Sequence, residues 1–436
     1  MAERTKPKRY RLDVSSQFYP IIATRKAQSL FGMAARMDAP VDRAVLETAV
    51  NEVLKRFPTF AVKLKKGYSW YYFEENTAVY PVGEASGKPL LPIRDKEKAG
   101  YLFRLDCKDD TVVFEVFHAI CDGLAALEFF KAVLYVYALR SGRSPEGSAG
   151  VIDLSAAPSE EEAEDAFYRY HRRVRLGDVQ LKELMGTRPA FIDGTPLKDG
   201  YAVSFGGVRV DDVRAAAKSM GASVTAFMCG AIARAVHNTQ SRPSRDVVLM
   251  VPVNLRDMFP SRTLRNFVNF VRLVFRHGEC ETLGDFVKSA SRQLKEKATP
   301  DEMAKFMSTT VSTERSLPLR LAPLWLKILA ARIVRFFIKS RQTLIFSNLG
   351  RVSLPEGSGV RRIVFNLNVS KTSRVNVGAL SFGEEMTLAF SRSVRERTLE
   401  DEVFAVLAEA GVSAVCRSDT VGQVDQTGAL VQNICR

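Results

Sequence analysis

One change of hydrophobic period limits what this chain can fold into. From Thr111 to His118 apolar residues alternate, with Val112, Phe114 and Val116 on one face and Val113 and Phe117 on the other, which predicts a strand. From Asp122-Gly123 onward, Leu124, Leu127, Phe130, Leu134 and Tyr137 recur at steps of three and four, with the stem of Lys131 among them. This predicts one face of an amphipathic helix. His118 therefore stands where a strand hands over to a helix, with rigid backbone behind it. An imidazole with an ordinary pKa near ~6.5 is suited to take a proton at neutral pH. Asp122 is placed to cap free N–H groups of the helix, or to pair with a distant arginine and lock the turn. Gly123 allows a tight turn and the close approach of another segment. Spacing alone equally describes a core histidine at a strand end with a capping aspartate. Both readings stay open at this point.

Size and charge narrow the field. A chain of 436 residues with 46% apolar content can bury two sizeable cores, so two domains are expected. A net charge of +14 favours anionic partners such as coenzyme A, nucleotide phosphates or anionic lipid. The basic residues are scattered and carry no zinc-finger spacing or RNA-binding aromatic signature, so nucleic acid is not an expected partner. Six cysteines (Cys107, Cys121, Cys229, Cys280, Cys416, Cys435) lie far apart without a Cys-x-x-Cys pair, which predicts reduced thiols in a cytoplasm. The four histidines lack metal-ligand spacing, and no metal site is expected. Residues 1–11 read as a frayed basic arm rather than a secretory signal, and no run has the roughly 18 to 20 uncharged apolar residues of a spanning helix.

His118-Ala119-Ile120-Cys121-Asp122-Gly123 resembles the His-x-x-x-Asp-Gly motif of the coenzyme A-dependent acyltransferase superfamily, which includes chloramphenicol acetyltransferases, condensation domains of nonribosomal peptide synthetases, alcohol acetyltransferases and polyketide-associated acyltransferases. Many members carry two consecutive histidines, the second catalytic. Here Phe117 replaces the first, which resembles the alcohol acetyltransferase-like members and leaves His118 at the catalytic position. Arg56-Phe57-Pro58 resembles the end of the superfamily's early helix, and Ser223-Val224-Thr225 the start of a helix in its C-terminal half. Pro252-Val253-Asn254-Leu255-Arg256 resembles a stretch whose arginine pairs with the motif aspartate, which implies an Asp122–Arg256 fork; a surface arginine after a strand is the other reading. Asn266 to Val271 resembles the strand sent past the channel, with Asn269 as a channel-lining candidate or a polar residue at a sheet edge. Phe346-Ser347-Asn348-Leu349-Gly350 resembles a Ser-Asn-Leu-Gly turn of alcohol acetyltransferase-like and polyketide-associated members. Ser347 and Asn348 are its oxyanion or channel candidates, with turn stabilisation as the alternative. The plant-type Asp-Phe-Gly-Trp-Gly motif is absent.

The resemblance covers about residues 10 to 416. It implies an α/β sandwich fold: two chloramphenicol acetyltransferase-like halves, residues 1–185 and 195–416, packed as a pseudo-dimer around a central tunnel, with 417–436 a loose tail. It implies acyl-coenzyme A as co-substrate, no tightly bound cofactor, a hydroxyl acceptor that includes lipids, and His118 as general base without an acyl-enzyme. An amide-forming condensation enzyme fed by an acyl carrier protein, and an idle binding protein of the same fold, are the alternatives. Cys121, next to the histidine loop, is a competing nucleophile candidate.

Two further stretches carry expectations. The acidic run Glu160 to Asp165 reads as a solvated linker, and His171 as a surface residue, within a crossover spanning roughly 145–198. Leu319 to Arg341 reads as one very apolar helix with Arg320, Lys327, Arg332, Arg335 and Lys339 in a sector of roughly 140°. Such a helix could lie in a lipid headgroup layer as a peripheral membrane contact, cap a channel, or pack in the core with a solvated basic edge.

Overall fold

The computed structural model describes residues 7–24, 28–94, 97–172, 187–198, 201–242, 244–337, 341–369 and 373–417. The chain begins with β1 (Arg9–Arg11), α1 (Phe18–Ile22), β2 (Leu30–Met37) and α2 (Arg43–Arg56). Asp42 caps α2, its carboxylate accepting from Ala44 N and Val45 N. Two hairpins follow, β3 (Val62–Lys66) with β4 (Tyr71–Glu75), and β5 (Phe103–Lys108) with β6 (Thr111–Phe117). Then come α3 (Gly123–Arg140) and the short α4 (Ala166–Tyr170). The second half runs β7 (Ala202–Arg209), α5 (Val210–Ser219), α6 (Val224–Thr239), β8 (Val247–Asn254), β9 (Val268–Phe275) and α7 (Leu283–Lys297). It continues with α8 (Pro300–Arg315), α9 (Leu317–Leu321) and α10 (Leu324–Phe337). Strands β10 (Leu344–Val352), β11 (Val360–Leu367), β12 (Val375–Phe382) and β13 (Glu385–Arg392), helix α11 (Thr398–Glu409) and β14 (Ala414–Arg417) complete it.

The α/β sandwich expectation holds, with one exchange between halves. A four-stranded sheet in the order β11-β2-β6-β5 carries the histidine strand, and a seven-stranded sheet in the order β14-β7-β13-β12-β10-β8-β9 forms the second layer system. Strand β11 comes from the C-terminal half yet pairs antiparallel with β2 from Val360↔Met37 to Leu367↔Phe31. The two sheets meet closely there: a β-carbon at Gly378 of β12 would overlap the carbonyl oxygen of Phe365 on β11, so only glycine fits.

The four-stranded sheet and a three-stranded sheet in the order β1-β4-β3 share one core, the seven-stranded sheet has another, and each core borrows from the other half. Helix α3 is apolar almost all round because it is buried on most sides, with Phe129 and Phe130 fully inside. Phe60 stacks on Phe129 at 4.4 Å, and Phe57, Phe103 and Phe114 surround the pair at 5.3 to 5.5 Å from Phe129. Leu264, Leu324, Val352, Ile363, Phe365 and Leu380 join this first core, while Val14, Ala166 and Phe167 join the second.

Several expectations are corrected. Arg9–Arg11 of the basic arm is a strand paired with β4. The acidic run is not simply solvated, because Glu162 is buried and forms a two-bond fork with Arg56 (Nη1 2.6 Å, Nη2 2.7 Å). His171 is half-buried, within 3.1 Å of Arg315 Nη1. The apolar helix breaks at Ala322-Pro323 into α9 and α10, where proline removes an N–H. Lys327 leaves the expected basic stripe: it is buried, donates to Ser69 O at 2.6 Å and lies 3.3 Å above the Trp70 ring centroid. Helix α8 starts from a Thr299 cap with Pro300 at its first position. The tail beyond Arg417 lies outside the described residues, as do Lys339 and the side chain of Arg335. Among the described residues no single helix is long and apolar enough to cross a membrane.

Candidate active site

The loop after β6 is held from both sides. His118 N donates to Ser29 O at 2.9 Å, and Ile120 N to Phe117 O at 3.0 Å, so the backbone turns sharply just past the ladder. Asp122 then caps α3, its Oδ1 accepting from Ala125 N at 3.0 Å. Its Oδ2 accepts from Arg256 Nη1 at 2.7 Å and from Phe267 N at 2.8 Å. Arg256 sits in the turn after β8 and spends its remaining donors on Thr263 O (Nε 3.1 Å, Nη2 2.8 Å) and Arg265 O (2.8 Å). The Asp122–Arg256 pairing that the resemblance implies is present. It ties the histidine loop to the segment leading into β9. At Gly123 a β-carbon would lie 2.9 Å from Leu349 Cδ2, so any side chain there would displace the leucine.

The imidazole of His118 is half-buried between aromatic rings. Tyr19 of α1 stacks on it at 4.5 Å with 15° between planes, and Phe31 of β2 presents its edge at 4.9 Å. Its Nδ1 lies 2.9 Å from Asn266 Oδ1. The Asn266 amide donates from Nδ2 to His118 O at 2.9 Å and to Ser16 Oγ at 2.8 Å. Ser16 in turn donates its hydroxyl to the Asp13 carboxylate, which also accepts from Ser16 N and Ser15 Oγ, both at 2.7 Å.

This chain has a direction. A carboxylate accepts only, so the Ser16 proton points at Asp13 and the serine oxygen is left to accept from Asn266 Nδ2. The amide oxygen then faces His118, and Nδ1 must carry the ring proton. Nε2 keeps a lone pair with which it can accept a proton. Burial lowers the His118 pKa below its ordinary value, with partial opposition from hydrogen bonding and from the Asp122 charge, which favours the neutral ring. At the far end, burial and then the charge of Asp13 push the Asp165 carboxyl up to about 7. Asp165 Oδ2 accepts from Val14 N at 2.8 Å.

The other candidates are placed as follows. Cys121 is fully buried, and burial followed by the Asp122 charge pushes its thiol well up, which removes the thiolate a nucleophile needs. Asn269 is buried against α8, its Nδ2 3.2 Å from Met303 Sδ and its Oδ1 accepting from Phe270 N at 2.7 Å. The expected Ser-Asn-Leu-Gly turn is a stretch of β10 whose register with β12 shifts between Asn348 and Arg351. Asn348 Oδ1 accepts from Gly350 N at 2.9 Å and so steadies that irregularity. Ser347 is buried opposite Gly378. Leu349 carries this strand to the N-terminus of α3. Asn266 is the residue the sequence did not single out; it precedes β9, where no periodicity marks a side chain. A cavity of about 130 Å³ lies between the four-stranded sheet and β7, with Met33, Val113, Val203, Phe205 and Val364 among its walls. Glu115, three residues before His118 and paired with Arg104 at 2.7 Å, also lines it. Among the described residues no group of three or more His, Cys, Asp or Glu side chains could hold a metal ion.

No protein-family model matches the chain, and no curated protein does. Solved structures do. Polyketide synthase associated protein 5 from Mycobacterium tuberculosis superposes with a TM-score of 0.61 at 13% identity, covering 93% of this chain and 98% of its own. The starter condensation domain of rhizomide synthetase RzmA, solved with C8-CoA and Leu-SNAC, gives 0.58 at 14% identity over 92% of this chain and 94% of its own. The fold is that of the condensation domains. The same fold appears in SgcC5 from Streptomyces globisporus, solved with a naphthyl ethanediol and sucrose, at a TM-score of 0.55 and 15% identity over 92% and 98% of the two chains.

Proposed function

We propose that the protein transfers an acyl group from an acyl-coenzyme A thioester to a hydroxyl of an alcohol or lipid acceptor. One observation carries the reading: the Asp13–Ser16–Asn266 chain fixes the proton on His118 Nδ1 and leaves Nε2 as a base. In the proposed step His118 Nε2 takes the acceptor proton while the acceptor oxygen attacks the thioester carbonyl. The tetrahedral intermediate collapses, the C–S bond breaks, and the proton on Nε2 passes to the leaving thiolate. Ser347 is assigned the oxyanion, a role its burial on the strand next to α3 permits. No acyl-enzyme forms, consistent with the protonated, buried Cys121. The apolar walls that Met33, Val113, Val203, Phe205 and Val364 give the cavity between the sheets suit an acyl or alkyl chain. A condensation domain of this fold solved with C8-CoA, and SgcC5 solved with a diol, support thioester and hydroxyl substrates. We place the reaction in the cytoplasm, where the four described free cysteines would stay reduced.

A second reading has its own support, since structural neighbours include synthetase modules and one is solved with Leu-SNAC: a donor held by a carrier protein, with an amine acceptor. Thiol release from acetyl- and long-chain acyl-coenzyme A, with a panel of alcohols, amines and lipid extracts, decides between them. Hydroxyl-dependent release that falls at least about a hundredfold in His118→Ala is expected. Release that survives this substitution would remove His118 as the base, and release only with carrier-bound donors would favour the second reading.

A further inference from the structure

Exposed large apolar side chains are not spread evenly over this protein. Leu317, Leu321, Trp325, Leu329 and Ile333 follow one another at steps of four along α9 and α10, and each is 45 to 66% exposed. Trp325, at 66%, is as open as the two leucines before it. Leu326 widens the ridge, Tyr68 from the β3–β4 turn adds the most exposed ring (77%), and Phe18 of α1 adds another. In the sequence the step of four continues across the break at Ala322-Pro323. A contiguous surface of this kind is uncommon unless something covers it.

The ridge is fastened rigidly from behind. Leu324 N donates to Tyr68 O at 2.8 Å, and Lys327 Nζ donates to Ser69 O while capping Trp70. This seats α10 on the hairpin by its inner side and turns the apolar side outward. The charges carried by α9 and α10 themselves are all basic. Arg320, Arg332 and Lys66 are exposed, and no acidic residue occurs from Ser316 to Phe337. Aromatic and aliphatic side chains over a basic rim match an anionic bilayer, where the rings settle at the headgroup level. The position also matters. Helix α1 packs against α10, presents Phe18 outward, and one residue later stacks Tyr19 on His118.

We propose that α9, α10, Tyr68 and Phe18 form a docking face for an anionic membrane surface, which brings the base at His118 to a lipid hydroxyl dissolved in that surface. The delivery of the acceptor rests on the acyltransferase reading above; the docking does not.

The test uses the full chain and vesicles of phosphatidylcholine with or without phosphatidylglycerol. Sedimentation with the anionic vesicles is expected, with little on phosphatidylcholine alone. The double substitution Leu321→Glu/Trp325→Glu, at exposed positions, should lower the bound fraction at least about tenfold while circular dichroism is unchanged. Bromine-labelled acyl chains should quench tryptophan emission in the native chain and lose this effect in Trp325→Phe. Turnover of a short soluble alcohol should survive the double substitution, whereas turnover of a vesicle-borne alcohol should not. No vesicle binding, or equal binding by the double variant, would overturn the proposal. So would a self-associated form, or a carrier-protein complex, that the double substitution disrupts in the absence of vesicle binding. Vesicle binding without turnover of any acceptor would leave the docking face standing and count against the acyltransferase reading alone.

Discussion

Asn266 decides which nitrogen of His118 can act, although it touches no substrate in the proposed step. Replacing its amide by a carboxylate, Asn266→Asp, would put a negative charge 2.9 Å from Nδ1 and favour the imidazolium. The native ring has a lowered pKa, so activity should persist below neutrality and decline as the ring protonates. In Asn266→Asp the acid limb of kcat against pH should move to higher pH. Asn266→Ala should lower kcat about tenfold or more with KM little changed, because the tautomer is no longer fixed. Nitrogen-15 NMR of the ring reads the tautomer directly; an unchanged tautomer in Asn266→Ala would refute the role. Asp165 gives a second residue-scale expectation. Its folded pKa of about 7 exceeds the ordinary value of about 3.9, so between these values the native state binds more protons than the unfolded state. This group's contribution is fully present below the unfolded pKa and is lost as pH rises towards 7. Asp165→Asn should therefore flatten the fall in Tm over that window, and an identical slope in the variant would exclude Asp165 as its source. The His118 loop and its aspartate were legible because strand, turn and helix signals lie within about one turn of each other. Asn266 was not, since its contact to His118 spans 148 residues and leaves no local pattern.

At the scale of elements, the capped end of α3 is the joint between the histidine loop and the second half. The Asp122–Arg256 pair is mostly buried, so removing one partner leaves the other charged and unpaired. Asp122→Ala should cost about 3–5 kcal/mol in urea unfolding. A loss well under that range would mean water reaches Arg256 freely. Deleting the ring at the centre of the first core, Phe129→Ala, should cost a similar ~3–5 kcal/mol. Strand β6 and helix α3 followed directly from periodicity and turn residues. What periodicity could not tell was the partner of each charged group. The run from Glu160 to Asp165 has a solvated composition, yet Glu162 lies inside because Arg56, 106 residues earlier, meets it. Lys327 has helical spacing that fits a basic stripe, but the Trp70 face and the Ser69 carbonyl draw it inward. Burial lowers its pKa to about 8.

For the whole molecule the two sheets are not independent units. Strand β11 completes the first sheet, and Leu264, Leu324 and Leu380 fill its core from the second half of the sequence. Calorimetry should therefore show one cooperative transition, with the calorimetric and van't Hoff enthalpies in agreement. Two resolved transitions would show that β11 detaches before either core melts. The two-layer plan was implied by the resemblance, but the exchange was not. An alternating strand carries no mark of which sheet it will join.

The exchange also governs how the protein can be divided. A fragment ending in the crossover near residue 190 would keep β2, β5 and β6 but lack β11, leaving the backbone groups of β2 from Phe31 to Met37 unpaired along an apolar strand. Such an edge invites pairing with other copies. A piece of the gene chosen by counting halves would yield sticky material, while a fragment supplied with a peptide spanning Val360–Leu367 would have the missing strand returned to it.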